Sequence, residues 1–311
     1  METAHHASSG HSALPKVGWL WKETWRLYSK YFSYFIAVTV PIVAFSTFSG
    51  TFDNISDFSE GNIVAVIVFS FLSVIAALCA LVVSFVAPIA IVRAANESRT
   101  GAPASMEELY KYAGKHLWGY LWVVVVVAFF NITASGLFLI PGVVVSLYLS
   151  FALMAYVIDG RRGMDALVWS AHAIRSNWWK VLGRVLVLVL TLIAAMLILF
   201  VIVEPLQPLL GVATWKTLVD GLMVFLNNLF VLPFATIFSV LLYTELKKTK
   251  HAPSELDQYR IRRNLWTVAG MGVVVGVALV VVGVRFMVPA ILSEIMNMDI
   301  RSSWYDVSPR Y

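Results

Sequence analysis

The chain has 311 residues, of which 59% are hydrophobic and only 13% are charged, and its net charge is +5. Soluble domains contain about 45–50% apolar and about 25% charged residues, so this chain has too few polar residues to cover a water-facing surface. The composition excludes an ordinary soluble domain and indicates an integral membrane protein.

Residues 1–16 contain no basic start followed by an apolar run, so we expect a disordered cytoplasmic tail and no cleavable signal peptide. Because a bilayer core of about 30 Å needs about twenty apolar residues per helix, the rest of the chain predicts seven transmembrane helices. The predicted spans are Phe32–Ser49, Ile63–Val92, Leu117–Ile140, Val143–Ile158, Val181–Val203, Leu218–Tyr243 and Leu265–Met287. The fourth is short, and whether it crosses fully stays open.

The predicted fold class is therefore an all-α polytopic membrane protein. Residues 17–250 form a six-span membrane domain with interfacial helices. Residues 251–311 contain a further interfacial helix, the seventh span and a C-terminal tail outside the cell.

The basic residues predict the orientation of these spans. All Lys and Arg except Lys216, Arg285, Arg301 and Arg310 lie in four stretches, which we call the basic segments: residues 16–30, 93–115, 161–184 and 247–263. With seven spans these segments share one side, which the positive-inside rule makes cytoplasmic. We predict a multi-pass protein of the inner (cytoplasmic) membrane, with its N-terminus inside and its C-terminus outside. The net charge then reflects contact with anionic lipid and gives no reason to expect nucleic acid.

Each basic segment overlaps an amphipathic stretch rich in Trp and Tyr that runs into a span. These stretches are WLWKETWRLYSKYFSYF, SMEELYKYAGKHLWGYLW, MDALVWSAHAIRSNWWKVLG and SELDQYRIRRNLW. Ser105 with Glu108 forms an S-x-x-E capping box, and Ser254 precedes Asp257 in the same way. Because Trp and Tyr favour the headgroup level, we expect helices along the cytoplasmic surface. The pattern predicts three repeats of an interfacial helix and a transmembrane hairpin, then a fourth interfacial helix and a lone seventh span.

Several short motifs point to a known family. They are Ile140-Pro141-Gly142, Asp159-Gly160, Ala166 and Ser170 in a helix ending near Trp178, and Pro233 followed by Tyr243. Between Trp19 and Lys250 the chain resembles the six-span membrane domain that precedes some glycerophosphoryl diester phosphodiesterases and occurs in related bacterial inner-membrane proteins of unknown activity. A seventh span stands where the fused members have their soluble catalytic domain, so the resemblance does not imply that activity.

Titratable and nucleophilic residues form no recognisable catalytic or metal-binding pattern. His5, His6 and His11 lie in the tail without acidic or cysteine partners at ligand spacing, and Cys79, the single cysteine, lies inside the second span. Common hydrolase, metalloprotease and nucleotide-binding motifs are absent. Asp159 lies at a cytoplasmic span end with water available and no evident partner. We expect no enzymatic activity, no cofactor and no metal.

Polar residues inside the spans leave two interpretations open. The middles of the spans contain no ionisable side chain, which disfavours a proton-coupled mechanism. Asn131 and Thr133 lie in the third span, and Asn227 and Asn228 precede Pro233 in the sixth. They either form interhelical hydrogen bonds, with the amides or water satisfying the carbonyl that Pro233 frees, or line a polar vestibule for a small solute.

Two functions follow. The first is a non-enzymatic membrane protein that organises lipid or a partner complex, with an unidentified protein partner possible. Its predicted contacts with anionic headgroups are Lys247, Lys248, Lys250, Arg260, Arg262 and Arg263. The second is a permease for a small amphiphile or lipid. In both cases we expect Trp169, Trp178 and Trp179 at the headgroup level and a tight outside corner at Gly142.

Overall fold

The computed structural model describes residues 14–41, 43, 63–101, 104–206, 219 and 221–305, and these residues form helices and connecting turns without any strand. The helices are α1 (Val17–Lys30), α2 (Phe32–Pro41), α3 (Ile63–Thr100), α4 (Met106–Leu137), α5 (Leu139–Leu149), α6 (Ala152–Asp159), α7 (Met164–Arg175), α8 (Trp178–Val203), α9 (Gly221–Lys248) and α10 (Glu255–Tyr305). Six stretches within the described residues are long and apolar enough to cross a membrane. The all-α polytopic fold class is therefore confirmed.

The predicted spans correspond closely to these helices. The second, third, fifth, sixth and seventh spans are α3, α4, α8, α9 and α10, and each helix extends past its apolar run into a basic segment. The fourth span comprises α5 and α6, which together provide the 20 residues Ile140–Asp159. The first begins as α2, and its residues 44–49 lie outside the described part of the chain, as do residues 1–13 of the predicted tail.

Two of the four amphipathic stretches are separate helices, α1 and α7, and the other two are the first turns of α4 and α10. The predicted capping box starts α4: the Ser105 hydroxyl accepts the Glu108 N–H at 3.3 Å, and the Glu108 carboxylate accepts the Ser105 N–H at 3.1 Å. The Ser254 hydroxyl likewise accepts the Asp257 N–H at 3.2 Å. Neither stretch contains a turn like Ser176-Asn177, which ends α7, so both helices continue unbroken into their spans.

α7 lies inside the bundle, which corrects the prediction of a surface helix there. Eight of its twelve residues are buried, including Trp169, which is only 3% exposed. A helix that is apolar around most of its circumference is buried, and α7 packs against α5, α6 and α10. Trp178 is partly buried, and Trp179 is exposed. Of the three predicted headgroup-level tryptophans, Trp169 is therefore a core residue.

The basic segments meet at one end of the bundle, which we call the basic end. The Tyr31 hydroxyl, next to the first segment, donates to the Gly101 carbonyl of the second at 2.9 Å. Arg184 of the third donates to the carbonyl of Pro15 at 2.7 Å. Two ion pairs, Arg262–Asp165 at 3.3 Å and Arg175–Asp257 at 3.9 Å, join the third segment to the fourth. The apolar faces of α3, α8 and α10 away from this end are exposed, as expected for helices in lipid.

Pro233 interrupts α9 as the sequence predicts, and the partner of the freed carbonyl comes from α1. One π-helical turn, Asn227–Val231, precedes the proline. Pro233 has no N–H, so the carbonyl of Leu229, four residues earlier, loses its usual helical donor. The buried Tyr28 hydroxyl donates to that carbonyl at 3.2 Å, and burial raises the pKa of Tyr28 to about 12. Tyr28 therefore takes the place that we assigned to the amides or water.

The α4–α5 corner is tight because two helices touch there. Gly142 lies in the second turn of α5 with ordinary helical geometry, and a Cβ atom at this position would lie 2.5 Å from the Ser135 hydroxyl oxygen of α4. The tight corner expected at Gly142 therefore requires a glycine because of this close approach of two helices.

Candidate functional site at the basic end

The end of the fourth span is built around a break between α5 and α6. The helix stops at Leu149 and restarts at Ala152, so backbone groups near the break lose their usual partners. Ser170 of α7, which is fully buried, replaces two of them. Its hydroxyl accepts the Phe151 N–H at 3.1 Å and donates to the Tyr148 carbonyl at 2.7 Å. This pair of bonds fixes α7 against the span.

Asp159, the last residue of α6, is the centre of a buried polar network. Its side chain is 8% exposed; Oδ2 accepts the Tyr243 hydroxyl at 2.6 Å and Oδ1 accepts Lys247 Nζ at 2.6 Å. The Tyr243 hydroxyl in turn accepts the Trp169 indole N–H at 2.9 Å. The expectation that Asp159 has no specific partner is wrong, because α9 brings Tyr243 and Lys247 to it. The network ties α6, α7 and α9 together.

The loop after Asp159 reads Gly160-Arg161-Arg162-Gly163, and its conformation depends on both glycines. Gly160 has φ +67° and Gly163 has φ +50°, a region that disfavours side chains. Gly160 ends α6 with a left-handed (αL) cap, in which its own N–H bonds to the Tyr156 carbonyl at 3.1 Å. The Arg161 guanidinium lies 4.1 Å from the centre of the Trp169 ring, a cation–π distance. The loop thus orients Arg161 over the core and leaves Arg162 exposed.

A pocket of about 450 Å³ opens beside this loop. Arg161, Arg162 and Asp165 line it from the loop and the first turn of α7, and Pro253 and Gln258 line it from the start of α10. His172, further along α7, is partly buried, and this burial together with Lys250 lowers its pKa. Among the described residues, no group of three or more His, Cys, Asp and Glu side chains is placed to hold a metal ion.

The six basic residues predicted to bind lipid all lie at the basic end, but they differ in their partners. Three contact side chains in or just before the third segment: Lys247 binds Asp159, Arg262 pairs with Asp165, and Lys250 donates to the Ser176 hydroxyl. Lys248 pairs with Glu245 of its own helix at 2.6 Å. The two remaining side chains, Arg260 and Arg263, are exposed, and no carboxylate of the described residues lies within ion-pair distance of them.

The four residues of the predicted polar vestibule lie on two helices. On α4, Asn131 accepts the Ser146 hydroxyl of α5 at 2.6 Å, and Thr133 donates to the Phe129 carbonyl at 2.9 Å. On α9, Asn228 donates to the Val224 carbonyl at 2.9 Å. Asn227 lines a pocket of about 430 Å³ whose other residues are apolar and belong to α8 and α9. No hydrogen bond between described residues joins the α4 pair to the α9 pair.

Exposed tryptophans surround the basic end. They are Trp19, Trp25, Trp118, Trp122 and Trp179, joined by the exposed Tyr259. A further exposed tryptophan, Trp266, lies along α10 against Phe129 and Phe130. The large exposed side chains of α3 and α8 further from this end are Val, Leu, Ile and Phe. Trp and Tyr concentrate where a membrane meets water, so this ring of aromatic residues is typical of an interface.

The network around Asp159 was not evident from the sequence, although its members were visible separately. Asp159, Ser170 and Tyr243 belong to the motifs quoted for the family resemblance, and Lys247 to the predicted lipid contacts. The sequence feature that could have indicated the network is the placement of these polar side chains at or near the ends of apolar runs.

A family model described as "Protein of unknown function (DUF4013)" matches residues 2–147. This similarity is to an uncharacterised family, and no comparison ties the chain to the glycerophosphoryl diester phosphodiesterase membrane domain. No curated protein and no solved structure matches the chain.

Proposed function

We propose that the protein is a non-enzymatic integral membrane protein that binds anionic lipid headgroups at its basic end and organises lipid or a partner complex there. The observation that carries the proposal is the combination, at one end of an apolar bundle, of exposed tryptophans and exposed arginines without carboxylate partners among the described residues. We propose further that this end faces the cytoplasm, with the C-terminus outside, because basic segments favour that side.

The energetics favour collective binding. Each basic residue near a negatively charged leaflet contributes about 1 kcal/mol at most before screening by salt. Arg260 and Arg263 are free for this purpose, while Lys247 and Arg262 are held in ion pairs with Asp159 and Asp165. The exposed arginines should therefore bind headgroups, and the paired residues should stabilise the fold.

Four residues quoted for the family resemblance have structural partners. Gly142 makes a helix contact, Ser170 satisfies a backbone break, and Asp159 and Tyr243 join three helices. All four act on packing, which supports our proposal of a protein without enzymatic activity.

The test measures how much anionic lipid is retained by two variants, one that loses positive charge at the basic end and one that loses it elsewhere. We expect Lys248/Arg260/Arg263→Gln to retain less anionic lipid than the wild type in native mass spectrometry, because the headgroup contacts are lost. Arg285→Gln, at the far end of the predicted seventh span, is the control and should retain as much as the wild type. Equal retention by the triple variant and the wild type would overturn the proposal.

The second candidate function, a permease for a small amphiphile or lipid, is favoured by the pocket at Asn227. A π-helical turn beside a pocket lined by apolar groups and one amide is a common arrangement at functional sites. Purified protein in proteoliposomes should then accelerate transfer of a fluorescent short-chain phospholipid between leaflets, and Asn227→Leu should slow it. Transfer no faster than in protein-free vesicles would exclude this function for that class of substrate.

A further inference from the structure

We propose that the pocket between the Gly160–Gly163 loop and the start of α10 binds a phosphate group. The inference deepens the proposed function and rests on it, because it assigns one discrete site to the anionic headgroup. Arg161 and Arg162 provide two guanidinium groups in its lining, and Gln258 provides an amide. Arginine is the side chain best suited to phosphate, because its planar guanidinium group donates two parallel hydrogen bonds.

Two helices begin at this pocket, which adds to its positive potential. α7 starts directly after Gly163, and α10 starts directly after Ser254, with Asp165 and Gln258 in or just after their first turns. The N-terminal end of a helix carries a partial positive charge and free N–H groups, so it favours an anion. Both helix starts therefore act in the same direction as the two arginines, although the acidic residues of their first turns offset part of this potential. These acidic residues are Asp165 in α7 and Glu255 and Asp257 in α10.

The acidic side chains near the pocket are already engaged. Asp165, the one carboxylate in the lining, pairs with Arg262 at 3.3 Å. The Asp159 carboxylate accepts Tyr243 and Lys247, and Arg161 Nε lies 4.0 Å from its Oδ2. Arg162 is exposed, and no acidic side chain of the described residues lies within ion-pair distance of it. The charge of Arg162 consequently remains for a ligand.

A second pocket at the basic end gives a useful contrast. It measures about 240 Å³ and is lined by Arg26, Lys30 and Arg99. Lys30 and Arg99 lie in the last turns of α1 and α3, where unpaired carbonyl groups carry a partial negative charge. Their charge is partly offset by the helix ends, whereas that of Arg161 and Arg162 is reinforced by helix starts.

The position of the pocket fits a phosphate at the membrane surface. Gly163 lies against Trp122: a Cβ atom there would be 3.6 Å from the indole nitrogen. Trp122 belongs to the exposed tryptophans that indicate the headgroup level. At about 450 Å³ the pocket also has room for more than the phosphate itself. The phosphate can come from a phospholipid headgroup or from a soluble phosphate ester, and the experiment separates these sources.

The experiment compares the full-length wild-type protein with three variants, two of them changed in the pocket and one outside it. Arg162→Gln removes one charge without breaking a contact in the described structure, Arg162→Lys keeps the charge, and Arg263→Gln removes an exposed charge outside the pocket. Calorimetry in neutral detergent measures binding of sn-glycerol 3-phosphate. Native mass spectrometry, after extraction from nanodiscs of phosphatidylcholine with phosphatidylglycerol, measures retained anionic lipid.

We expect Arg162→Gln to weaken binding of one or both ligands about tenfold, the effect of losing one charge-assisted hydrogen bond. Arg162→Lys should bind more tightly than Arg162→Gln, and Arg263→Gln should leave glycerol phosphate binding unchanged. Loss of glycerol phosphate binding identifies a soluble ester as a ligand, and loss of lipid retention alone identifies the headgroup.

Wild-type affinity for both ligands in Arg162→Gln would overturn the phosphate site, and so would an equal loss of glycerol phosphate binding in Arg162→Gln and Arg263→Gln. If Lys248/Arg260/Arg263→Gln still loses anionic lipid in that case, the proposed function stands without the pocket. If that variant also retains lipid as the wild type does, both proposals fail.

Discussion

Individual polar side chains at the basic end replace backbone partners where helices are interrupted. Ser170 hydrogen-bonds backbone groups at the break between α5 and α6, and Tyr28 donates a hydrogen bond to the carbonyl freed by Pro233. An unsatisfied backbone group is costly in the interior and more so in lipid, so each interruption requires such a partner. Both side chains are buried, which keeps water from taking their place.

Replacing Ser170 should therefore destabilise the protein although it removes a single oxygen atom. Ser170→Ala leaves the Phe151 N–H and the Tyr148 carbonyl without this partner, and we predict a loss of about 1–3 kcal/mol. The measurement is thermal unfolding in detergent. Ser84→Ala is the matched control, because the exposed Ser84 hydroxyl donates only to a carbonyl of its own helix. Equal melting temperatures for Ser170→Ala and Ser84→Ala would contradict this prediction.

Asp159 should be sensitive to loss of its charge. Asp159→Asn removes the negative charge facing Lys247 and puts an amide opposite the Tyr243 hydroxyl, so we predict about 1–3 kcal/mol of destabilisation. The double variant with Lys247→Met should lose less than the sum of the single variants, because both act on one contact. An Asp159→Asn protein as stable as the wild type, or additive losses, would show that the network does not stabilise the fold.

These contacts explain why the sequence drew attention to Asp159, Tyr243 and Lys247 separately but did not show that they contact one another. Asp159 meets Tyr243 and Lys247 from positions 84 and 88 residues away. Local periodicity reveals which residues end a span, but the pairing of span ends depends on how the helices pack. The helices that bury Trp169 were hidden for the same reason, since an isolated stretch does not show which other helices cover it.

At the scale of elements, the length of the apolar runs predicted which stretches form spans, but it did not predict where the helices begin and end. α3, α8 and α10 contain a whole predicted span, α4 and α9 contain most of one, and all five continue into a basic segment. A hydropathy argument detects the part of a helix inside the bilayer, whereas the helix itself ends where capping and turn residues stop it. The break between α5 and α6 was invisible because Ser170, which compensates it, is distant in sequence.

The α4–α5 hairpin should depend on the size of residue 142. A side chain there meets Ser135, so we predict that Gly142→Val lowers stability by about 1–3 kcal/mol through overpacking and reduces the yield of monodisperse protein in detergent. Gly136→Ala is the control, since a Cβ atom at Gly136 has its nearest neighbour at 3.8 Å, an ordinary contact distance. If Gly142→Val gave the wild-type yield and melting temperature, the close α4–α5 contact would be wrong.

For the whole molecule, charge distribution predicted the arrangement that the helices adopt. Four segments separated by long apolar runs were assigned to one side, and hydrogen bonds and ion pairs join their ends at one end of the bundle. The positive-inside rule could predict that the four segments lie on one side, because the rule requires only a count of Lys and Arg between the spans and no knowledge of how the helices pack. The pocket at the Gly160–Gly163 loop could not be anticipated, because it exists only where α7 and α10 begin side by side.

The central claim is that the basic end faces the cytoplasm and that α10 crosses the membrane away from it. Single cysteines in a Cys79→Ala background, labelled on intact cells with a membrane-impermeant maleimide, test it directly. We predict that Ser303→Cys is labelled, together with Ser56→Cys, a position outside the described residues, and that Ser105→Cys and Ser254→Cys are protected until the cells are lysed. Labelling of residues 254 and 303 from the same side would contradict the account, because α10 could then not span the bilayer.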